Sequence, residues 1–274
     1  RVKYRIFFIL FIVNSVSNGK ALCLDITNRI IFLTLLDNTG VYHNGMYHMF
    51  YQYYPYESKW GPMHWGHAVS RDLLHWEHLP AALAPDEPYD RDGCFSGSAL
   101  TLPDGRQLLM YTSVVKERQE NDTIRDIQTQ SLAIGNGIDY EKYEKNPVLD
   151  AAELPVGGSK FDFRDPKIWQ NADGTYSCIA GNCLEDGDGR ILLFTSKDGF
   201  QWKFRSILVS NDHRFGKMWE CPDFFRLDGK WVLLASPQGP IHGSSGDRIV
   251  QVSQFCIQPI IIRRPSGVST VWGA

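Results

Sequence analysis

The chain has 274 residues, a formal net charge of −3, 43% hydrophobic and 22% charged residues. This is a globular composition for one large domain or two ordinary ones, and it offers no basic field to hold a nucleic acid. Six scattered cysteines are too few for a disulfide scaffold at this length, and Cys178 and Cys183 lack a second Cys or His pair at zinc-finger spacing. Taken in chain order, the basic stretch Arg1–Arg5 and the apolar run Ile6–Val13 pattern like a secretory signal, with a run too short to span a membrane. Residues 1–30 are read either as an atypical leader or signal-like segment or as sequence that is not native coding or belongs to an incomplete start. A secreted protein is expected if it is a true signal and a cytoplasmic one if it is not.

Beyond residue 30 the chain repeats itself. Asn44-Gly45, Asp104-Gly105, Asp173-Gly174 and Asp228-Gly229 each lead into a run rich in apolar and aromatic residues, the signature of a hairpin turn entering a strand. The four glycines lie 60, 69 and 55 residues apart. A second element recurs as Ser70-Arg71-Asp72-Leu73-Leu74-His75-Trp76 and Ser196-Lys197-Asp198-Gly199-Phe200-Gln201-Trp202. Strands at this spacing with almost no helical periodicity predict an all-β chain, and a four-strand unit repeated about every sixty residues predicts propeller blades. The charged run Asp139–Lys145 is read as a solvated loop.

Nine residues before each repeat glycine stand Leu36, Ser96, Asp165 and Glu220. Equivalent positions in successive blades face one axis, so these side chains are expected to converge at one end of a central channel. Two are carboxylates, and Asp37 misses the register by one residue. Convergent carboxylates in a concave, aromatic-lined mouth suit glycosidic cleavage, which needs a general acid for the leaving oxygen and a second carboxylate at the anomeric carbon. Trp60 and Phe95, beside glycine-rich turns near the predicted mouth, are candidate sugar platforms. His64 and His67 have no carboxylate partner in a recognisable ligand motif, so no metal and no other cofactor is expected.

Five motifs then appear in order: Tyr51-Gln52-Tyr53, Trp60-Gly61-Pro62-Met63-His64-Trp65-Gly66-His67, Phe95-Ser96-Gly97-Ser98, Phe163-Arg164-Asp165-Pro166 and Trp219-Glu220-Cys221-Pro222-Asp223. In these the chain resembles glycoside hydrolase family 32, the invertases, sucrose-6-phosphate hydrolases, inulinases and levanases. The resemblance implies a five-bladed β-propeller followed by a β-sandwich, and a retaining double displacement on terminal β-D-fructofuranosides such as sucrose. Residues 31–240 represent about four blades, and 241–274 form a tail in which the pattern, and the sandwich with it, is missing. The resemblance makes Glu220 the acid/base and Asp165 the residue that grips fructose hydroxyls and stabilises the transition state. Gln52, Ser96 and Arg164 join Trp60 and Phe95 as substrate contacts. The nucleophile belongs to a Trp-Met-Asn-Asp-Pro-Asn-Gly segment, for which Leu33–Gly40 offers Asp37 without the Trp, Met or Pro. The alternative is a catalytically impaired sugar-binding relative or a decayed fragment of such an enzyme. The expected partner is a fructose-containing sugar, with no nucleic acid and no membrane span.

Overall fold

A computed structural model describes residues 32–34, 40–211, 216–227 and 230–238. Every regular element among them is a β-strand except one 3-10 turn at Ala151–Glu153. Four antiparallel sheets follow one another along the chain. The first holds β1 (Phe32–Thr34), β2 (Gly40–His43), β3 (Met46–Tyr54), β4 (His64–Ser70) and β5 (Glu77–Leu83), with β1 and β2 both paired to β3. The second holds β6 (Gly93–Thr101), β7 (Gln107–Arg118), β8 (Ile124–Gly135) and β9 (Tyr140–Lys142). In the third are β10 (Gly158–Gln170), β11 (Tyr176–Leu184), β12 (Gly189–Ser196) and β13 (Trp202–Ser210), and the fourth contains β14 (Met218–Leu227) and β15 (Lys230–Gln238). No helix of the described residues is long and apolar enough to cross a membrane.

The sheets pack face to face as blades. Along β7, Leu108 and Met110 point to a cluster shared with Phe163, Cys178 and Phe194 of the third sheet. The alternate residues Leu109 and Tyr111 point the other way, to Phe50 and Trp65 of the first. A strand covered on both faces has no solvent side to mark with polar residues, so it reads as a continuous apolar run. Ile179 and Ile191 carry the same packing on to Phe224 and Leu233 of the fourth sheet.

The predicted turns are the hairpins of this scaffold. Asn44 and Gly45 sit at φ 48° and 79°, the left-handed pair that a two-residue turn between twisted strands requires. At the outer edge of the first and third sheets the two Ser-x-Asp turns are built identically. The hydroxyls of Ser70 and Ser196 accept from the amides two and three residues on, Asp72 and Asp198 accept from the next two amides, and the Trp76 and Trp202 indoles donate back to the carbonyls of Leu73 and Gly199. Each turn satisfies its own backbone within seven residues.

The charged run at 139–145 is not a loop. It holds β9, the outer strand of the second sheet, because its alternate residues face inward. Tyr140 packs edge-on against Phe50 and His67, and the Lys142 ammonium lies 2.6 Å from the fully buried Asp90 carboxylate.

Candidate active site

The first strands of the second, third and fourth sheets carry a β-bulge at matching points. Extra residues intrude between Phe95 and Gly97, between Arg164 and Lys167, and between Glu220 and Asp223. A bulge turns a side chain off the regular alternation, and all three bulges open on one cavity. In the third and fourth sheets Asp165 and Cys221 take the left-handed conformation, at φ 61° and 48°. By the bulges, Arg164-Asp165-Pro166 therefore matches Glu220-Cys221-Pro222. The nine-residue count, which equated Asp165 with Glu220, slips by one. The cause is turn length: Leu227 pairs directly with Lys230 across two residues, whereas the last pair of the third sheet, Gln170 with Tyr176, spans five.

A cavity of about 600 Å³ is lined by Gln52, Trp60, Phe95, Ser96, Arg164, Asp165 and Glu220. Seven of the eight predicted site residues thus share one wall. Asp37, the eighth, lies outside the described residues. Asp165 is 7% exposed, and its Oδ2 accepts from the Cys221 amide at 2.8 Å. The Glu220 side chain, 26% exposed, accepts from Arg164 Nε at 2.9 Å. Burial pushes the Glu220 carboxyl above its ordinary range, the neighbouring Asp165 charge adds to this, and Arg164 opposes it without prevailing. For Arg164, desolvation works against the charge, but Asp165, Glu220 and Asp162 together hold its pKa above the usual value. A carboxyl with its pKa raised beside another carboxylate is the arrangement that general acid chemistry uses.

Gln52 is buried; its Nε2 donates to the Cys94 carbonyl at 3.1 Å, and its Oε1 has no partner among the described residues. It is an unpartnered buried acceptor on a residue that lines the cavity. Trp60, 53% exposed, meets Phe95 edge-on at 5.3 Å and forms an apolar lip. His67 is buried, stacked on Phe50 and hydrogen-bonded to His48 at 3.0 Å, and His64 Nδ1 lies 3.0 Å from the Pro62 carbonyl. Among the described residues no three metal-ligating side chains converge.

Arg125, Asp126, Gln128, Asp162 and Gln238, which no sequence motif marks, also line the wall. Arg164 Nη1 donates to Gln128 Oε1 and Asp162 Oδ1 at 3.1 and 3.2 Å. Gln128 and Gln130, polar residues two apart in β8 and both buried, were the available signal.

Comparison with known proteins agrees with this geometry. Residues 37–258 match the model of the glycosyl hydrolases family 32 N-terminal domain. The chain is 43% identical over 212 residues to a sucrose-6-phosphate hydrolase of Zymomonas mobilis, covering 74% of this chain and 40% of that protein. A levanase of Bacillus subtilis is 41% identical over 227 residues, 76% of this chain and 31% of that one. Among solved structures, a mutant Bombyx mori family 32 β-fructofuranosidase in complex with sucrose superposes with a TM-score of 0.68 at 42% identity, covering 79% of this chain and 44% of that one. The chain thus spans about two fifths of the length of the curated relatives it matches. With the bulged carboxylate strands, the blade packing and the family match in agreement, the chain belongs to glycosyl hydrolase family 32, through its N-terminal β-propeller domain.

Proposed function

We propose that the protein hydrolyses terminal β-D-fructofuranosides such as sucrose by a retaining double displacement. The observation that carries this reading is Glu220, a carboxyl held above its ordinary pKa at the wall of a cavity that also presents Asp165. Glu220 protonates the leaving glycosidic oxygen. Asp165, fixed by the Cys221 amide, accepts fructose hydroxyls and strengthens those bonds as the oxocarbenium ion develops. Asp37 takes the nucleophile's role on the family resemblance, attacking the anomeric carbon from the face opposite Glu220. Water then hydrolyses the fructosyl ester while Glu220 acts as base. Gln52 and Ser96 meet the fructose, and Trp60 and Phe95 cover it.

The wall carries four carboxylates, Asp126, Asp162, Asp165 and Glu220, against two guanidinium groups, Arg125 and Arg164. Arg164 is bound to Glu220 and Asp162, and Arg125 lies 3.7 Å from Asp162. That balance favours an uncharged sugar over a phosphorylated one. The test is fructose release from sucrose and from sucrose 6-phosphate by the full-length protein, with the anomer of the first-formed fructose read by NMR. Release of β-fructose, faster from sucrose, is expected; α-fructose rules out the double displacement. Binding of sucrose without turnover supports the sugar-binding alternative, which the altered Leu33–Gly40 segment favours.

A further inference from the structure

The inner edge of β10 has no neighbouring strand in its own sheet, yet its backbone groups are buried and partnered. The partners are side chains of the second sheet. Gln128 Oε1 accepts from the Phe163 amide at 3.0 Å, and Gln130 Nε2 donates to the Phe163 carbonyl at 2.7 Å. These two glutamines stand at alternate positions of β8, so they point the same way and grip both polar groups of one residue. The next groups along are held in turn. Thr112 Oγ1 accepts from the Asp165 amide at 2.9 Å and lies 3.1 Å from Gln130 Oε1, and Ser98 Oγ donates to the Pro166 carbonyl and accepts from the Ile168 amide. Gln128 also receives Arg164 Nη1.

We propose that Gln128 and Gln130 form a side-chain clamp that positions the Arg164-Asp165 bulge, and through it Glu220, for catalysis. This rests on the reading of Asp165 and Glu220 given above. The physical need is clear at Asp165: a left-handed aspartate is a costly backbone state that persists only when its surroundings over-determine it. The clamp fixes the residue two before it by both peptide groups and, through Thr112, the amide of Asp165 itself. The two glutamines have separable consequences. Gln128 anchors the guanidinium that opposes the raised pKa of Glu220, whereas Gln130, by way of Thr112, anchors the backbone amide of Asp165, whose carboxylate adds to it. Both act as positioning residues.

The experiment uses the full-length protein with sucrose and two isosteric variants, Gln128→Met and Gln130→Met. Each is expected to lower kcat by about tenfold to a hundredfold, the cost of displacing reacting groups by up to about 1 Å, with KM little changed. A loss of folded protein alone would scale the whole pH–rate profile without moving it. Here the alkaline limb, set by the group that must stay protonated, moves up in Gln128→Met as Arg164 slackens. It moves down in Gln130→Met as Asp165 slackens. Faster amide exchange at Phe163 reports the broken clamp whether or not sugar is turned over, and Gln128→Glu, which keeps both accepted bonds, recovers most of the protection of that amide. Wild-type kcat in both variants despite faster exchange, or lower kcat with unmoved limbs, overturns the clamp. If one variant does not fold, the other decides by the same readouts. No fructoside hydrolysis by the unmutated protein would sink the functional reading instead, and the exchange result would still show whether the clamp holds the strand.

Discussion

The bulges of β10 and β14 are the same backbone device carrying opposite charges. Arg164-Asp165-Pro166 is followed by Lys167, and Glu220-Cys221-Pro222 by Asp223. Matching positions meet across the two sheets: Arg164 pairs with Glu220 at 2.9 Å and Lys167 with Asp223 at 3.2 Å. Only the middle residue breaks the pattern, where the Asp165 carboxylate bonds to the Cys221 backbone. One bulge therefore brings cations and a fixed anion, and the other brings the anions that they restrain. The chemistry lies in the difference between two copies of a repeat, and each copy can be changed by itself.

The largest effect is expected from Glu220→Gln, which removes the proton donor and keeps the shape. Turnover of sucrose by the full-length protein should fall about a hundred- to ten-thousand-fold, the usual span for loss of general acid catalysis. A variant within a few-fold of the parent would take Glu220 out of the mechanism. Next comes Lys167→Met, which leaves the Asp223 carboxylate, 4% exposed, without the cation facing it. Chemical denaturation should register a loss of about 3 kcal/mol, much of it recovered by adding Asp223→Leu. Equal stability of the single variant and the parent would show that this pair is idle. Asp165→Asn is expected to lower kcat about a hundredfold, because its bonds to the sugar tighten in the transition state, so a change confined to KM contradicts the role. It also removes the charge that helps hold the Glu220 pKa up, and the alkaline limb should move down.

The smallest effect concerns stability. Since the folded-state pKa of Glu220 is raised above its unfolded value, the folded state binds its proton more tightly. That contribution is fully present below the unfolded pKa and is lost as pH rises through the folded one. Glu220→Gln should therefore match the parent in Tm near pH 4 and exceed it modestly near pH 7. A gap that shrinks as pH rises would reverse the sign of the argument.

The hairpins were readable because their causes are local: Asn-Gly and Asp-Gly supply left-handed backbone, and the Ser-x-Asp turns close on themselves. The fold class followed from their spacing. Five family motifs marked Gln52, Trp60, Phe95, Ser96, Arg164, Asp165 and Glu220, which share one cavity. What escaped depends on distant partners. The short strand at Tyr140–Lys142 exists because Phe50, His67 and Asp90 receive it, and none of these is near in sequence. The register slip at Glu220 came from a change in turn length that the turn dipeptide itself does not record. Gln128 and Gln130 act on Phe163, more than thirty residues away, and a polar residue in a strand carries no label for the backbone it will meet.

The grip of one blade on the next has a direction. Gln52 and Trp65 hold the carbonyls of Cys94 and Phe95; Ser98, Thr112, Gln128 and Gln130 hold β10; Asp165 holds the Cys221 amide. At each of these inner strands the side chain that holds precedes the backbone that is held. On the ribosome, where the amino end emerges first and folds first, each new inner strand finds its partners already made. The wait for partners falls on the strand still emerging, so the polypeptide can be completed blade by blade in the order in which it is translated.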